Sequence, residues 1–190
     1  MLILLRHGQT DANARGLLQG RVDNPLDEIG RAQAAAAAEA LGTVDRVVAS
    51  PLTRTRQTAA ALRCDAGIAI DDRLIELDYG EFDGRAVGDV SAETWDAWRS
   101  DSSFRLPGGE SLDELRSRVW PALDELRHHS ASSTVVVVTH MSPIKTAVQW
   151  ALGVDAEISW NLHLSTASMT RVAVRGSRSV LQSFNDTAHL

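Results

Sequence analysis

Residues 134–140 read "TVVVVTH": four valines in succession, then a threonine and a histidine. A strand with one wet face alternates apolar and polar residues. An unbroken apolar run is the pattern of a strand buried on both faces. Residues 2–10, "LILLRHGQT", repeat the design, with Leu2 to Leu5 followed by Arg6, His7 and Gly8. Strands of this kind need a sheet covered on both sides, and the chain between them must supply the cover. That requirement selects an α/β architecture before any other element is placed.

Strand and helix signals alternate along the rest of the chain. Asp27 is placed to cap a helix running to about Leu41 and stopping at Gly42. "DRVVAS" reads as a second strand. Ser50-Pro51 reads as a helix start, a cap residue followed by proline at the first helical position, with the helix continuing through "LTRTRQTAAALR". "GIAI" is a short third strand. Residues 71–110 read as irregular, with one helix in "SAETWDAWRS". Ser111 and Glu114 have the spacing of a capping box and open a helix to about His128. Pro121 inside it predicts a kink or a break. Ser142-Pro143 repeats the cap-plus-proline device ahead of "IKTAVQWAL". "SMTRVAV" and "SVLQSF" read as a β-hairpin at the sheet edge. The sum is a three-layer α/β/α sandwich with a mainly parallel central sheet.

Composition sets outer bounds. The 190 residues favour one domain, 1–190, with a small lid insertion at about 85–110. No apolar run approaches the ~20 residues of a membrane span, and "MLILLRHG" has too short an apolar stretch for a signal peptide. The single cysteine, Cys64, excludes an internal disulfide and fits a reducing, cytoplasmic setting. A net charge of −6 argues against nucleic acid as a partner.

Within this acidic chain, cations gather at strand ends. The first strand ends at Arg6-His7, the second is followed by Arg54, and the valine strand ends at His140. Ligands of open parallel sheets bind outside the carboxyl ends of the strands. Neighbouring strands would bring two histidines and two arginines to one rim, joined by free N–H groups of the helices after Ser50 and Ser142. Arginine suits the bidentate grip of phosphate. A histidine between arginines stays neutral near pH 7, because like charges disfavour protonation, and neutral imidazole is a nucleophile. Gly8 would let the backbone approach a phosphate closely. A leaving alcohol needs a proton, and "DDRLIELDYGEFDGR" offers Glu76, Asp78 and Glu81 for it.

These segments resemble the histidine phosphatase superfamily, the phosphoglycerate-mutase-like group. "LLRHGQTDAN", "LLQGRVDNPLDEIGRAQA", "ASPLTRTRQTA", "LIELDYGEFDG", "PGGESLDEL" and "VVVVTH" follow in the family's order over nearly the whole chain. The resemblance implies that His7 is the nucleophile and becomes a phosphohistidine. It implies that Arg6, Arg54 and His140 hold the phosphoryl oxygens and that Glu76 is the proton donor. Asn13 would contact the phosphate, with Thr10, Gln19 and Gly20 nearby. The family needs no metal and no other cofactor. After the second histidine this sequence departs from the family's small residues: "HMSPIK" puts Met141 at the pocket edge, and Lys145 stands where arginine is common.

Plainer readings apply to other residues. Arg56 reads as a solvated helix face. Trp95, Trp98 and Phe104, at helical spacing, read first as packing of the lid. His128 and His129 suit a helix C-terminus. Cys64 lacks the arginine six positions later that a cysteine phosphatase wants; Ile70 is there. The expected activity is hydrolysis of phosphomonoesters of small metabolites, by a monomer or homodimer. A phosphoglycerate mutase is the alternative, and a non-catalytic phospho-ligand binding module ranks below it. Mutases of this family are generally longer, with segments that enclose the substrate.

Overall fold

The computed structural model describes residues 1–176 and 178–190. Six strands form one sheet: β1 (Leu2–Arg6), β2 (Arg46–Ala49), β3 (Ile68–Ile70), β4 (Val135–Thr139), β5 (Met169–Arg175) and β6 (Arg178–Asp186). Their spatial order is β3-β2-β4-β1-β5-β6. β3, β2, β4 and β1 are mutually parallel, and β5 and β6 add an antiparallel edge. Among the described residues six α-helices connect them: α1 (Asp11–Ala14), α2 (Glu28–Leu41), α3 (Thr53–Ala60), α4 (Ala92–Ser100), α5 (Leu112–Ser130) and α6 (Met141–Leu152). Among the described residues, no helix is long and apolar enough to cross a membrane.

The valine run is the centre of the sheet, as its composition requires. Val135, Val136, Val137 and Val138 are all fully buried. Burying each contributes roughly 1.5–3 kcal/mol relative to exposure. Alternate residues face opposite layers. Leu2, Leu4, Val135 and Val137 pack with Leu115, Val119 and Leu123 of α5 and Ile144 of α6. Ile3, Leu5, Val136 and Val138 pack with Ala37 and Ala38 of α2 and Ala59 of α3. The small alanines of α2 let that helix lie close to the sheet. The result is the expected three-layer sandwich.

The capped helices at Asp27 and Ser111 form as their sequences predict, the latter with a complete capping box. Both cap-plus-proline readings fail. α3 begins at Thr53 rather than at Ser50-Pro51, and it ends at Ala60, short of Arg63. Its first amide is capped from a distance, with Thr53 N–H donating to Asp23 Oδ1 at 2.6 Å. α6 begins at Met141, one residue before the expected cap, so Ser142 and Pro143 lie inside its first turn. α5 runs unbroken through Pro121, because Val119, Ala122 and Leu123 are fully buried and hold both halves to the sheet.

Gly8 also has a packing task. A Cβ there would stand 2.3 Å from the carbonyl oxygen of Gly30, and a Cβ on Gly30 would stand 2.0 Å from that of Gln9. The two glycines let the loop after β1 press directly on the first turn of α2. Helix propensity alone favours alanine over Gly30 by about 1 kcal/mol. Overpacking against backbone costs typically 1–3 kcal/mol, and a carbonyl oxygen cannot rotate aside as a side chain can. Gly30→Ala is therefore expected to lose up to about 2 kcal/mol net, read as a lower urea midpoint at unchanged slope. A midpoint equal to or above that of the parent protein would show that the loop yields.

Candidate active site

The register of the parallel strands builds the site. Arg6 pairs with Thr139, and Ala49 pairs with Val138. The next residues, His7, His140 and Ser50, therefore emerge side by side at the carboxyl rim. Arg54 rises from the first turn of α3 beneath them. His7, His140 and Arg54 are all buried, and the two imidazole rings meet edge to face with centroids 5.2 Å apart.

Hydrogen bonds define the tautomers. Arg54 Nε can only donate, and it reaches His140 Nδ1 at 3.2 Å. His140 then carries its proton on Nε2 and donates to Ser50 Oγ at 2.7 Å. His7 Nδ1 lies 2.7 Å from the Gly8 carbonyl oxygen, which can only accept. The proton of neutral His7 is thus on Nδ1. Its Nε2 carries a lone pair and has no partner among the described residues. Arg54 is held further by the carbonyls of Val22 and Gly20, at 2.8 and 2.7 Å. Arg6 donates to the Leu164 carbonyl, while its buried Nε has no partner among the described residues.

Burial and charge act together on these groups. Burial, then Arg54 and Arg6, holds the His7 pKa well below the ordinary 6.5, against the Gly8 bond. Burial, then Arg54, does the same for His140. Burial also lowers Arg54 to about 10, with Glu76 and Asp23 opposing it. Both imidazoles are therefore neutral and both arginines charged near pH 7.

Of the three carboxylates in the segment after β3, Glu76 is buried, Asp78 pairs with Arg21 at 3.2 Å, and Glu81 is exposed. Glu76 acts electrostatically on Arg6 and Arg54 and so shares their pocket. Its Oε1 accepts the N–H groups of Leu77 at 2.8 Å and Ser142 at 3.1 Å. Its Oε2 has no partner among the described residues. The amides expected to greet a ligand at the two helix starts are thus partly taken, Thr53 N–H by Asp23 and Ser142 N–H by Glu76.

The remaining sequence candidates fall into two places. Thr10, Asn13 and Gln19 form one hydrogen-bonded loop after β1. The Thr10 hydroxyl lies 3.0 Å from both Asn13 Oδ1 and Gln19 Oε1. Gly20 adopts φ +47°, and its Cβ position coincides with the Asp83 carboxylate, so only glycine can deliver the carbonyl that holds Arg54. Met141, the first residue of α6, lies instead on a neighbouring cavity with Trp95, Trp98 and Trp160. Trp98 is buried, stacked on Trp95 at 5.4 Å, so the tryptophans are at once packing and cavity wall. Arg56 is exposed, as its reading predicts.

Sequence reasoning missed the frame around Glu76. Arg118 donates to the carbonyls of Arg73 and Glu76 and to both oxygens of Glu110. Arg21 binds Glu110 from the other side, at 3.2 Å. Ser50 was read as a cap, but its hydroxyl belongs to His140. The only sequence signal was that Glu110 directly precedes a capping box, which says nothing of its partners.

Two neutral imidazoles, the buried Arg54, the partly buried Arg6 and one acid thus meet at this rim. Residues 2–187 match the histidine phosphatase superfamily (branch 1), and the chain belongs to that family. It is 36% identical over 177 residues to a bifunctional protein of Mycobacterium tuberculosis, covering 89% of this chain but only 49% of that protein, so it spans about half the length of that relative. Phosphoserine phosphatase 1 of Hydrogenobacter thermophilus is 34% identical over 100% of this chain and 93% of its own. A protein of Yersinia pestis named as a probable phosphoglycerate mutase is 33% identical, covering 98% and 93%. Among solved structures, a mutant phosphoserine phosphatase of Entamoeba histolytica in complex with phosphoserine superposes with a TM-score of 0.92 at 27% identity, over 100% and 98% of the two chains.

The depressed histidines make two measurements decisive. The unfolded chain binds protons near the ordinary histidine pKa of 6.5 that the folded chain refuses. Their stabilising contribution is therefore fully present above that value and is lost as pH falls below it, by up to about 1.4 kcal/mol per pH unit for each ring. Nitrogen NMR at pH 6.5 should show His7 neutral with Nδ1–H and His140 neutral with Nε2–H. Either ring titrating at or above its ordinary value would sink this electrostatic account.

Proposed function

We propose that this chain hydrolyses phosphomonoesters of small metabolites through a phosphohistidine on His7. One observation carries the reading: His7 Nε2 carries the lone pair and has no partner among the described residues, at a rim that also holds the buried Arg54, the partly buried Arg6 and a free Glu76 oxygen. Nε2 attacks phosphorus as the ester P–O bond breaks. Arg6, Arg54 and His140 hold the phosphoryl oxygens, and their charge is worth most in a site shielded from water. A proton held on Glu76 Oε2 passes to the departing alkoxide. Water then attacks the phosphohistidine, Glu76 takes its proton, and inorganic phosphate leaves. No step needs a metal. Asn13, Thr10, Gln19 and Gly20 lie on the phosphate side, and Met141 borders the neighbouring cavity.

Hydrolysis is preferred to transfer within one substrate because the segment over the site is small. Residues 85–110, read as the lid of a single domain 1–190, hold one nine-residue helix and a short turn. Little of the chain is available to shut water out. A cytoplasmic protein with one free cysteine, acting as a monomer or homodimer, fits this reading.

His7→Ala is expected to abolish acid-labile phosphate labelling and to lower kcat by at least ~10³-fold, in line with loss of a nucleophile that works as a unit with its partners. Incubation with 3-phosphoglycerate should release free phosphate. Formation of 2-phosphoglycerate without free phosphate would establish the mutase instead. No phosphate release by the parent protein, with no label trapped on His7, would leave only a binding module.

A further inference from the structure

The cavity beside the reacting groups has a composition of its own. It measures about 210 Å³ and is walled by Leu77, Tyr79, Trp95, Trp98, Met141 and Trp160. Leu77 follows Glu76 and Met141 follows His140, so the cavity begins where the proton donor and the second histidine end. Its wall is largely hydrocarbon and aromatic. One cation enters it: Lys145, one helical turn after Met141 on α6.

Lys145 is poorly explained as packing. Its Nζ donates to the Ser159 carbonyl at 2.8 Å. An ammonium has three donors, and no second partner is found among the described residues. No ion pair joins it to Glu76, although the two interact through space. Burial pulls its pKa down, with Glu76 opposing and Arg6 adding to the effect. A half-buried ammonium with unused donors can give charge-assisted hydrogen bonds to an anion that enters the same cavity.

We propose that Lys145 is a specificity-determining residue, and that the preferred alcohol carries a small apolar or aromatic body ending in a carboxylate that binds the Lys145 ammonium. The apolar body lies against Trp95, Trp98 and Trp160, and the phosphate end points back to His7. A cavity of roughly 150 Å³ lined by apolar side chains accommodates benzene, so one ring with a short substituent fits. The Ser159 carbonyl fixes the direction of Nζ, leaving the remaining donors for the carboxylate. This rests on the catalytic reading above and adds the identity of the leaving group to it.

The test compares benzyl phosphate with 4-carboxybenzyl phosphate, whose reacting bonds are alike and which differ at the far end. The parent enzyme is expected to favour the carboxylated ester by roughly 10-fold or more in kcat/KM, the scale of one charge-assisted hydrogen bond. Lys145→Met, close in length and without charge, should bring that ratio to about 1, chiefly through KM. Lys145→Arg should restore much of it. A parent ratio near 1, or a preference that survives Lys145→Met, would overturn the assignment while leaving hydrolysis intact. Failure of both esters to be cleaved or to label His7 would instead remove the catalytic reading and this proposal with it.

Discussion

The pairing of Arg6 with Thr139, and of Ala49 with Val138, is the constraint on which the site depends. Parallel strands in register end together. A shift of one residue would turn each strand over and send Val136 and Val138 to the wrong layer, so the two apolar clusters fix the register strongly. The chemistry inherits that precision. His7 and His140 need no loop to find each other, because each is the first residue beyond a strand whose apolar run is buried. Their edge-to-face contact follows from the neighbouring of β1 and β4.

Burying Arg54 at this rim is costly in isolation, and the structure shows how the cost is offset. The guanidinium is inaccessible to water, yet three neutral acceptors surround it: His140 Nδ1 and the carbonyls of Val22 and Gly20. Neutral acceptors keep the group positive without cancelling it, whereas a carboxylate in direct contact would have consumed the charge. The same charge depresses both histidines. Burial is the larger cause of the neutral His7, and Arg54 adds to it while retaining its own positive potential at the rim. Gly20 is part of this arrangement, since the Asp83 carboxylate occupies the space of any Cβ there.

Much of this was legible in the sequence, for identifiable reasons. The strands at residues 2–6 and 135–139 were plain because unbroken apolar runs admit few other fates, and their last residues then fell at one rim. The capping box at Ser111 was legible because both partners lie within one turn. Ser50-Pro51 and Ser142-Pro143 misled for the complementary reason. Their helices are capped by Asp23 and Glu76, which come from distant segments, and no local pattern records a distant acceptor. At Gly8 local reasoning knows only that glycine permits close approach, not that Gly30 is what approaches. Arg118, Glu110 and Arg21 meet from three separate segments and leave no spacing to read.

The distant cap at α6 has a consequence for the acid. Glu76 Oε1 is occupied by the N–H groups of Leu77 and Ser142, and Ser142 lies in the first turn of the helix that His140 begins. The carboxyl group is therefore anchored through one oxygen at the first turn of α6. Its main chain is clamped by Arg118 and Arg21 through the Glu76 carbonyl. Fixing one oxygen and the backbone leaves Oε2 as the single free atom, with its direction set. Glu76 and His140 are thus parts of one rigid unit, although they stand far apart in the chain. Movement of either would move the other, which ties the position of the acid to the position of the group proposed to hold the phosphoryl oxygens.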